Sequence, residues 1–505
     1  LILQLCQAHV GTHLVDLGPN WIHGTQNNPI LDLVRSTNTP THDWPEEQVA
    51  FGPDGVALDE DVAKENAEVV WSLIGDAFKH SNEASGEIDA KLSLMDYIEQ
   101  HVDERVLGQM SGKVKGEKFE KEAKRRKELV LKLAELWGGF IGATTARQSL
   151  KFLWLEECLE GENLFCAGTY AKVLEVVAAP ALQKGQIKFE HVVNKISSTS
   201  EANSPSVTVS VLGKGKQTFD EVIVTCPLGW LKRNKHVFEP ALPTRISQAI
   251  ASLGYGNLDK VYITFPRAWW DDPVRQLPTA NAGQFEDMER SLRKVTATAT
   301  PQHEAKKLSS NGEAANEHYV GFTTFIAPEY ARDTNPDAWY QDCINLAALP
   351  KGTEHPTLLF YISGPTADHI AALLRSFPSA ASPTRSVKPD SALRKALWQF
   401  FSPYVSRLPN FSAQDTDCIP SDILATGWTN DEFAGYGSYS NFPVGATECD
   451  QDIEAMREGR GLTERGVWFA GEHTAPFVAS GTVTGAYWAG EKVGERVLEA
   501  WGLDD

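Results

Sequence analysis

VWFAGEHTAPFVASGTVTGAYWAGEKVGERVLEAWG, residues 467 to 502, decides the fold. Val467, Trp468, Phe469 and Ala470 form a short apolar run that Gly471 ends, the pattern of a buried parallel strand. The period then changes. From Gly485 onward Ala486, Ala489, Val493, Val497 and Leu498 recur at three- and four-residue spacing, while Glu491, Lys492, Glu495 and Arg496 fall largely elsewhere, which makes an amphipathic helix. A strand, a loop of small residues and a helix N-terminus offer free backbone N–H groups and a positive dipole end, suited to an electron-rich ring edge or a phosphate. Glu472 stands beside them as a hydroxyl acceptor. Glycine-rich strand-loop-helix units occur throughout α/β proteins, so this reading alone sets the fold class and leaves the ligand open.

Working outward, the 505 residues are too many for one ordinary domain and suit two, each with its own core. The 47 basic and 67 acidic residues give a formal net charge of −20. That charge argues against nucleic acid as a partner; it either favours cationic small molecules or simply solvates the surface. Seven cysteines, at 6, 158, 166, 226, 343, 418 and 449, show neither paired metal spacing nor a disulfide framework. No metal is therefore expected, and a reducing compartment is the default. No apolar run reaches the roughly 18 residues of a membrane span. The stretch Gly502-Leu503-Asp504-Asp505 carries neither a membrane tail nor a peroxisomal Ser-Lys-Leu ending, so the cytoplasm is the expected compartment and the peroxisome the alternative.

The order Phe469-Ala470-Gly471-Glu472-His473-Thr474, then Ser480-Gly481-Thr482-Val483 and Gly485-Ala486, resembles the carboxy-terminal flavin-binding segment of the flavin-containing amine oxidases. Four further stretches resemble that family in the same order. VDLGPNWIHGTQNNPI, residues 15 to 30, is similar to the segment that passes the flavin and enters the substrate pocket of polyamine oxidases. FDEVIVTCPLGWLK, residues 219 to 232, resembles the strand and turn by which the chain leaves the flavin domain. LGYGNLDKVYITFPRAWW, residues 253 to 270, resembles the segment that carries the family's lysine, and GWTNDEFAGYGSYS, residues 427 to 440, the one that supplies aromatic walls.

The resemblance implies an α/β fold: a Rossmann-like FAD-binding domain, incomplete at its N-terminus, interleaved with an α+β substrate-binding domain. Residues 1–38, 165–235 and 460–505 are assigned to the first, and 39–164 and 236–459 to the second. Cofactor contacts are implied for Gly18, Pro19, Asn20, Trp21, Trp428, Gly471, Glu472, Gly481, Thr482 and Val483, with Val193 on the adenine side. Lys260 is the implied catalytic residue, holding a water at the flavin, and it lies in the apolar run Val261-Tyr262-Ile263, where a buried lysine needs a partner. Tyr439 is the implied aromatic wall, suited to an amine nitrogen by cation–π attraction. His23 either hydrogen-bonds a substrate nitrogen or serves structure alone. Glu156 and Glu157 are candidates for a distal ammonium of the substrate. Ser438 stands where monoamine oxidases have the cysteine that bonds FAD, so FAD is expected to be non-covalent.

Other stretches fill in the chain. Residues 187–198, 206–212 and 221–226 read as three strands, with a Gly-Lys-Gly-Lys turn at 213–216. Residues 117–140 predict one helix with charges dense in its first half, a solvated element. Residues 283–318, polar and rich in Ala, Ser, Thr and Lys, predict a mobile surface insertion. No Gly-x-Gly-x-x-Gly is present, and the chain reaches Gly18 almost at once, so it reads as lacking the family's first βαβ unit and is expected as given to bind FAD weakly or not at all. The activity implied is FAD- and O2-dependent oxidation of polyamines such as spermine, spermidine or their acetylated forms. The rivals are a histone-lysine demethylase, which would need a long paired-helix tower, a monoamine oxidase, and a remnant without cofactor.

Overall fold

A computed structural model describes residues 6–45, 47–110, 116–199, 206–272, 318–377 and 391–503. The insertion predicted at 283–318 lies, apart from its last residue, outside the described residues.

The largest sheet has six strands in the order Asp422–Ala425, Leu258–Thr264, Thr357–Ser363, Gln341–Asn345, Phe322–Phe325, Gln48–Phe51. All neighbours are antiparallel except the last pair. Successive side chains of a strand face opposite ways, and here both faces are covered. Val261 and Ile263 join Phe360, Phe401, Tyr404 and Trp269 in the largest apolar cluster. Tyr262 points the other way, with Leu359, Ile344 and Val15, toward the N-terminal hairpin of Gln7–Val10 and His13–Asp16. Lys260 shares the face of Tyr262, so burying this strand on both sides also buries its lysine.

The strand read at 467–470 runs over Val467–Phe469 and pairs in parallel with Val222–Val224. The helix read from 485 begins two residues earlier, as Val483–Ala500, because Thr482 caps it: its hydroxyl accepts from the N–H of Gly485 at 3.0 Å. The strands expected at 187–226 need correction. The first starts only at Val193, and Gly215–Phe219, assigned in part to a turn, is a strand paired antiparallel to Ser206–Val211. Val222–Val224 leaves this sheet for the parallel pair.

The predicted helix over 117–140 divides into Glu117–Leu133, a 3-10 turn Ala134–Trp137 and a last turn Gly138–Ile141. It stops where Gly142 takes the left-handed conformation, φ +66°. Its charges are not all solvated, since Arg126 is buried and paired with Glu65 and Glu122. Together with Glu60–Ala84 and Leu94–Gln109 it forms a cluster that also packs on Ala50, Leu153 and Ile326. The two-domain division proposed from sequence is crossed by one core: Phe238, Ile250, Phe442 and Ile453 pack with Val224 and Phe469. Among the described residues, no helix is long and apolar enough to cross a membrane.

Candidate active site

Lys260 donates to the carbonyl of Gly18 and to Asn20 Oδ1, and more distantly to the carbonyl of Asp16 at 3.4 Å. Burial drives its ammonium well below the usual range, while the charges of Asp16 and Asp259 pull it back up. The segment it holds is fixed from several sides. Asp16 accepts from Gln7 Nε2 at 2.7 Å and from the N–H of Tyr170 at 3.0 Å, and its carbonyl accepts from the Tyr262 hydroxyl at 2.6 Å. Trp428 Nε1 donates to the carbonyl of Leu17 at 3.0 Å, and the Tyr361 hydroxyl to Asn20 Oδ1 at 2.7 Å. The lysine, its acceptors and the side chains of Tyr262, Tyr361 and Trp428 thus form one hydrogen-bonded unit.

This unit borders a cavity of about 740 Å³, within the roughly 300–1,000 Å³ usual for ligand pockets. Lys260, His23 and Tyr439 line it, as do Gly18, Pro19, Asn20, Trp21, Trp428, Glu472, Gly481, Thr482 and Val483, and so do Glu156 and Glu157. Residues from both ends of the chain and its middle therefore meet in one space. Gly471 and Val193 are outside this wall. Gly471 turns the chain, at φ 153°, into Glu472. Val193 opens its strand and packs at the edge of the core around Val224 and Phe469, so the adenine contact expected of it is not part of this cavity.

Glu472 is held by Ser440, whose N–H donates at 3.1 Å and whose hydroxyl donates at 2.5 Å; burial raises the carboxyl to about 7. Glu156 accepts from Gln148 Nε2 at 3.2 Å and is raised to about 8, by burial first and by its neighbour Glu472. Glu157 is exposed at the rim, where Asn82 Nδ2 donates to it at 2.5 Å. His23 is half-buried; burial lowers its imidazole, against a hydrogen bond with Asn163. The Tyr439 hydroxyl donates to the carbonyl of Phe140 at 2.6 Å, and burial raises it above its ordinary range. Ser438 Oγ accepts from the N–H of Leu258 at 2.9 Å and donates to its carbonyl at 2.6 Å, so the residue in the covalent position is tied to the sheet.

The ring and ribityl end of FAD finds suitable groups here. Ser480 Oγ is buried, lines the cavity and has no hydrogen-bond partner among the described residues, and the first turn of the Val483–Ala500 helix is part of the same wall. Gly481 adopts φ +72°, which suits glycine, and a side chain there would meet the ring of Tyr439 at 3.5 Å. Sequence reading missed several wall residues: Tyr340, Asp342 and Tyr361 on the sheet, and the rim of Trp71, Trp137 and Phe140, whose rings lie 5.3 to 6.3 Å apart. The stretch Tyr340-Gln341-Asp342-Cys343-Ile344 sets an acid between an aromatic and an apolar residue on one face, but nothing in it places that acid near Lys260.

Residues 8–311 and 339–498 match the family described as flavin containing amine oxidoreductase. A probable polyamine oxidase 4 of Arabidopsis thaliana is 28% identical over 271 residues, 51% of this chain and 49% of that protein, so the match spans about half its length. The peroxisomal N(1)-acetyl-spermine/spermidine oxidase of Bos taurus is 23% identical over 97% of this chain and 86% of its own. Among solved structures, the cyclohexylamine oxidase of Brevibacterium oxydans IH-35A has the same fold, with a TM-score of 0.55 at 17% identity over 97% of this chain and 88% of that one.

Proposed function

Because the chain belongs to the flavin containing amine oxidoreductase family, we propose that it oxidises polyamines such as spermine, spermidine or their acetylated forms to an aldehyde and an amine. Its cofactor is FAD, held without a covalent bond, and its substrates are a small-molecule amine and O2. When bound, FAD supplies the two-electron acceptor and passes the electrons to O2 as H2O2. The chain's own residues bind, orient and control protons. Lys260 gives two of its N–H bonds to Gly18 and Asn20, and its third, at a long 3.4 Å from the Asp16 carbonyl, is the one that can turn to a water. Gly18, Asn20, Gly481, Thr482, Val483 and Glu472 would hold the ring and ribityl end, and Tyr439 would wall the reacting carbon. The reacting nitrogen must be neutral, and a half-buried His23 with a lowered pKa can accept a hydrogen bond from it.

One observation supports the polyamine reading above the others: a single cavity joins this lysine to a rim of aromatic rings and to the acids Glu157 and Asp342, surroundings that favour a ligand with more than one ammonium group. The three helices Glu60–Ala84, Leu94–Gln109 and Glu117–Leu133 pack on one another and on the sheet region, and among the described residues none projects as a tower, which weighs against a demethylase. In the FAD-loaded enzyme, spermine or N-acetylspermine should exceed benzylamine in kcat/KM by at least about a hundredfold, about 2.7 kcal/mol. Comparable rates on benzylamine would point to a monoamine oxidase, and activity confined to methylated lysine peptides to a demethylase.

A further inference from the structure

Strand register sets four polar side chains in one row on the cavity face of the sheet. Lys260 lies opposite Tyr361, Tyr361 opposite Asp342, and Asp342 opposite Thr324. Directly opposed residues share a face, and neighbouring strands are about 4.8 Å apart, so Asp342 stands about 10 Å from Lys260 along the floor of the cavity. Tyr340 precedes Asp342 by two residues and therefore faces the same way, placing an aromatic ring on either side of the carboxylate.

The other cavity acids are already engaged. Both oxygens of Glu472 are taken by Ser440, Glu156 is held by Gln148 and stays protonated at neutral pH, and Glu157 lies outside at the rim with Asn82. Asp342 is different. Its carboxylate accepts from the Cys343 N–H and, at a long 3.5 Å, from the Thr324 hydroxyl; burial raises it only to about 6, below the two buried glutamates, and none of the ion pairs among the described residues includes it. A half-buried carboxylate without a counter-ion, facing a ligand cavity between two tyrosines, is short of a cation.

We propose that Asp342 holds the distal ammonium of a diamine or polyamine whose reacting end lies beside Lys260, and so sets a preference for doubly charged amines. The assignment rests on the polyamine reading above and makes it specific to one residue. The test compares 1,8-diaminooctane with octylamine in the FAD-loaded enzyme, by calorimetric Kd and by kcat/KM. The unmutated enzyme should bind the diamine at least tenfold more tightly. Asp342→Asn should reduce that ratio to within about twofold while leaving octylamine binding and the flavin absorbance spectrum unchanged, and Asp342→Glu should restore part of the preference. Should the asparagine variant fail to fold, Asp342→Ser reads the same ratio. A tenfold preference that survives in Asp342→Asn or Asp342→Ser overturns the role of Asp342 and leaves the substrate class standing. Equal weakening for both amines makes the residue structural. An unmutated enzyme with no preference for the diamine overturns both readings together.

Discussion

Burial by itself would strip Lys260 of its proton, and the nearby charges of Asp16 and Asp259 oppose that loss. The balance gives an amine that can exchange a proton near neutral pH, which a surface lysine cannot do. Lys260→Met keeps an unbranched side chain one atom shorter and removes its three donors. It should slow flavin reduction or reoxidation in stopped flow at least tenfold, about 1.4 kcal/mol, with the flavin still bound; unchanged rates would take Lys260 out of the chemistry. Glu156 shows the opposite case, an acid raised from 4.5 to about 8. Below the lower value it is protonated in both folded and unfolded chains, and above the upper value it is charged in both. Between them the folded chain keeps a proton that the unfolded chain releases, so stability falls as pH rises through this window. Glu156→Gln keeps the acceptor for Gln148 and removes the titration. Its thermal midpoint should therefore gain on that of the unmutated protein from pH 5 to pH 8, and parallel curves would show that Glu156 ionises freely.

The strand that carries Lys260 also carries Asp259, which faces the other way and organises the loop behind the aromatic wall. Its carboxylate accepts from the Thr426 hydroxyl at 2.7 Å, the Trp428 N–H at 2.8 Å, the Thr429 N–H at 3.2 Å and the Thr429 hydroxyl at 2.7 Å. Asp259→Ala would leave these donors buried without an acceptor, and should cost about 3 kcal/mol or more. Losing the Thr482 cap by Thr482→Ala should cost only about 1 kcal/mol. Thermal midpoints of the two variants check the order. The difference between strands also explains what could be read in advance. Val467–Phe469 is legible because it is apolar throughout and ends at glycine, and the helix after it because its apolar positions repeat. Gly215–Phe219 is not, because all five residues are exposed and no face repeats. The site was legible where a short motif brings its residues together, as in 15–30 or 427–440. Asp342 was not, since its place two strands from Lys260 depends on both strands pairing with a third, Thr357–Ser363, that follows them in the chain.

Across the protein as a unit, the charge of −20 bears on how a cationic substrate arrives. Exposed charges act over about a Debye length, roughly 10 Å at 0.1 M salt and 3 Å at 1 M, so a steering field fades in salt while contacts inside the cavity are screened much less. Spermine would feel this field more strongly than a singly charged amine, because attraction scales with ligand charge. If the acidic surface and the rim acid Glu157 gather substrate, kcat/KM for spermine should fall at least about threefold between 0.02 and 0.5 M salt, with benzylamine changing less than about twofold. The effect belongs to association and should appear in kcat/KM, leaving kcat at saturating substrate nearly constant. Glu157→Gln should remove part of the salt dependence, whereas Asp342→Asn, acting at a half-buried contact, should lower kcat/KM for spermine at low and high salt alike. A spermine kcat/KM that is flat in salt would leave the acidic surface with a role in solvation alone, and would place recognition of the polyamine wholly within the cavity.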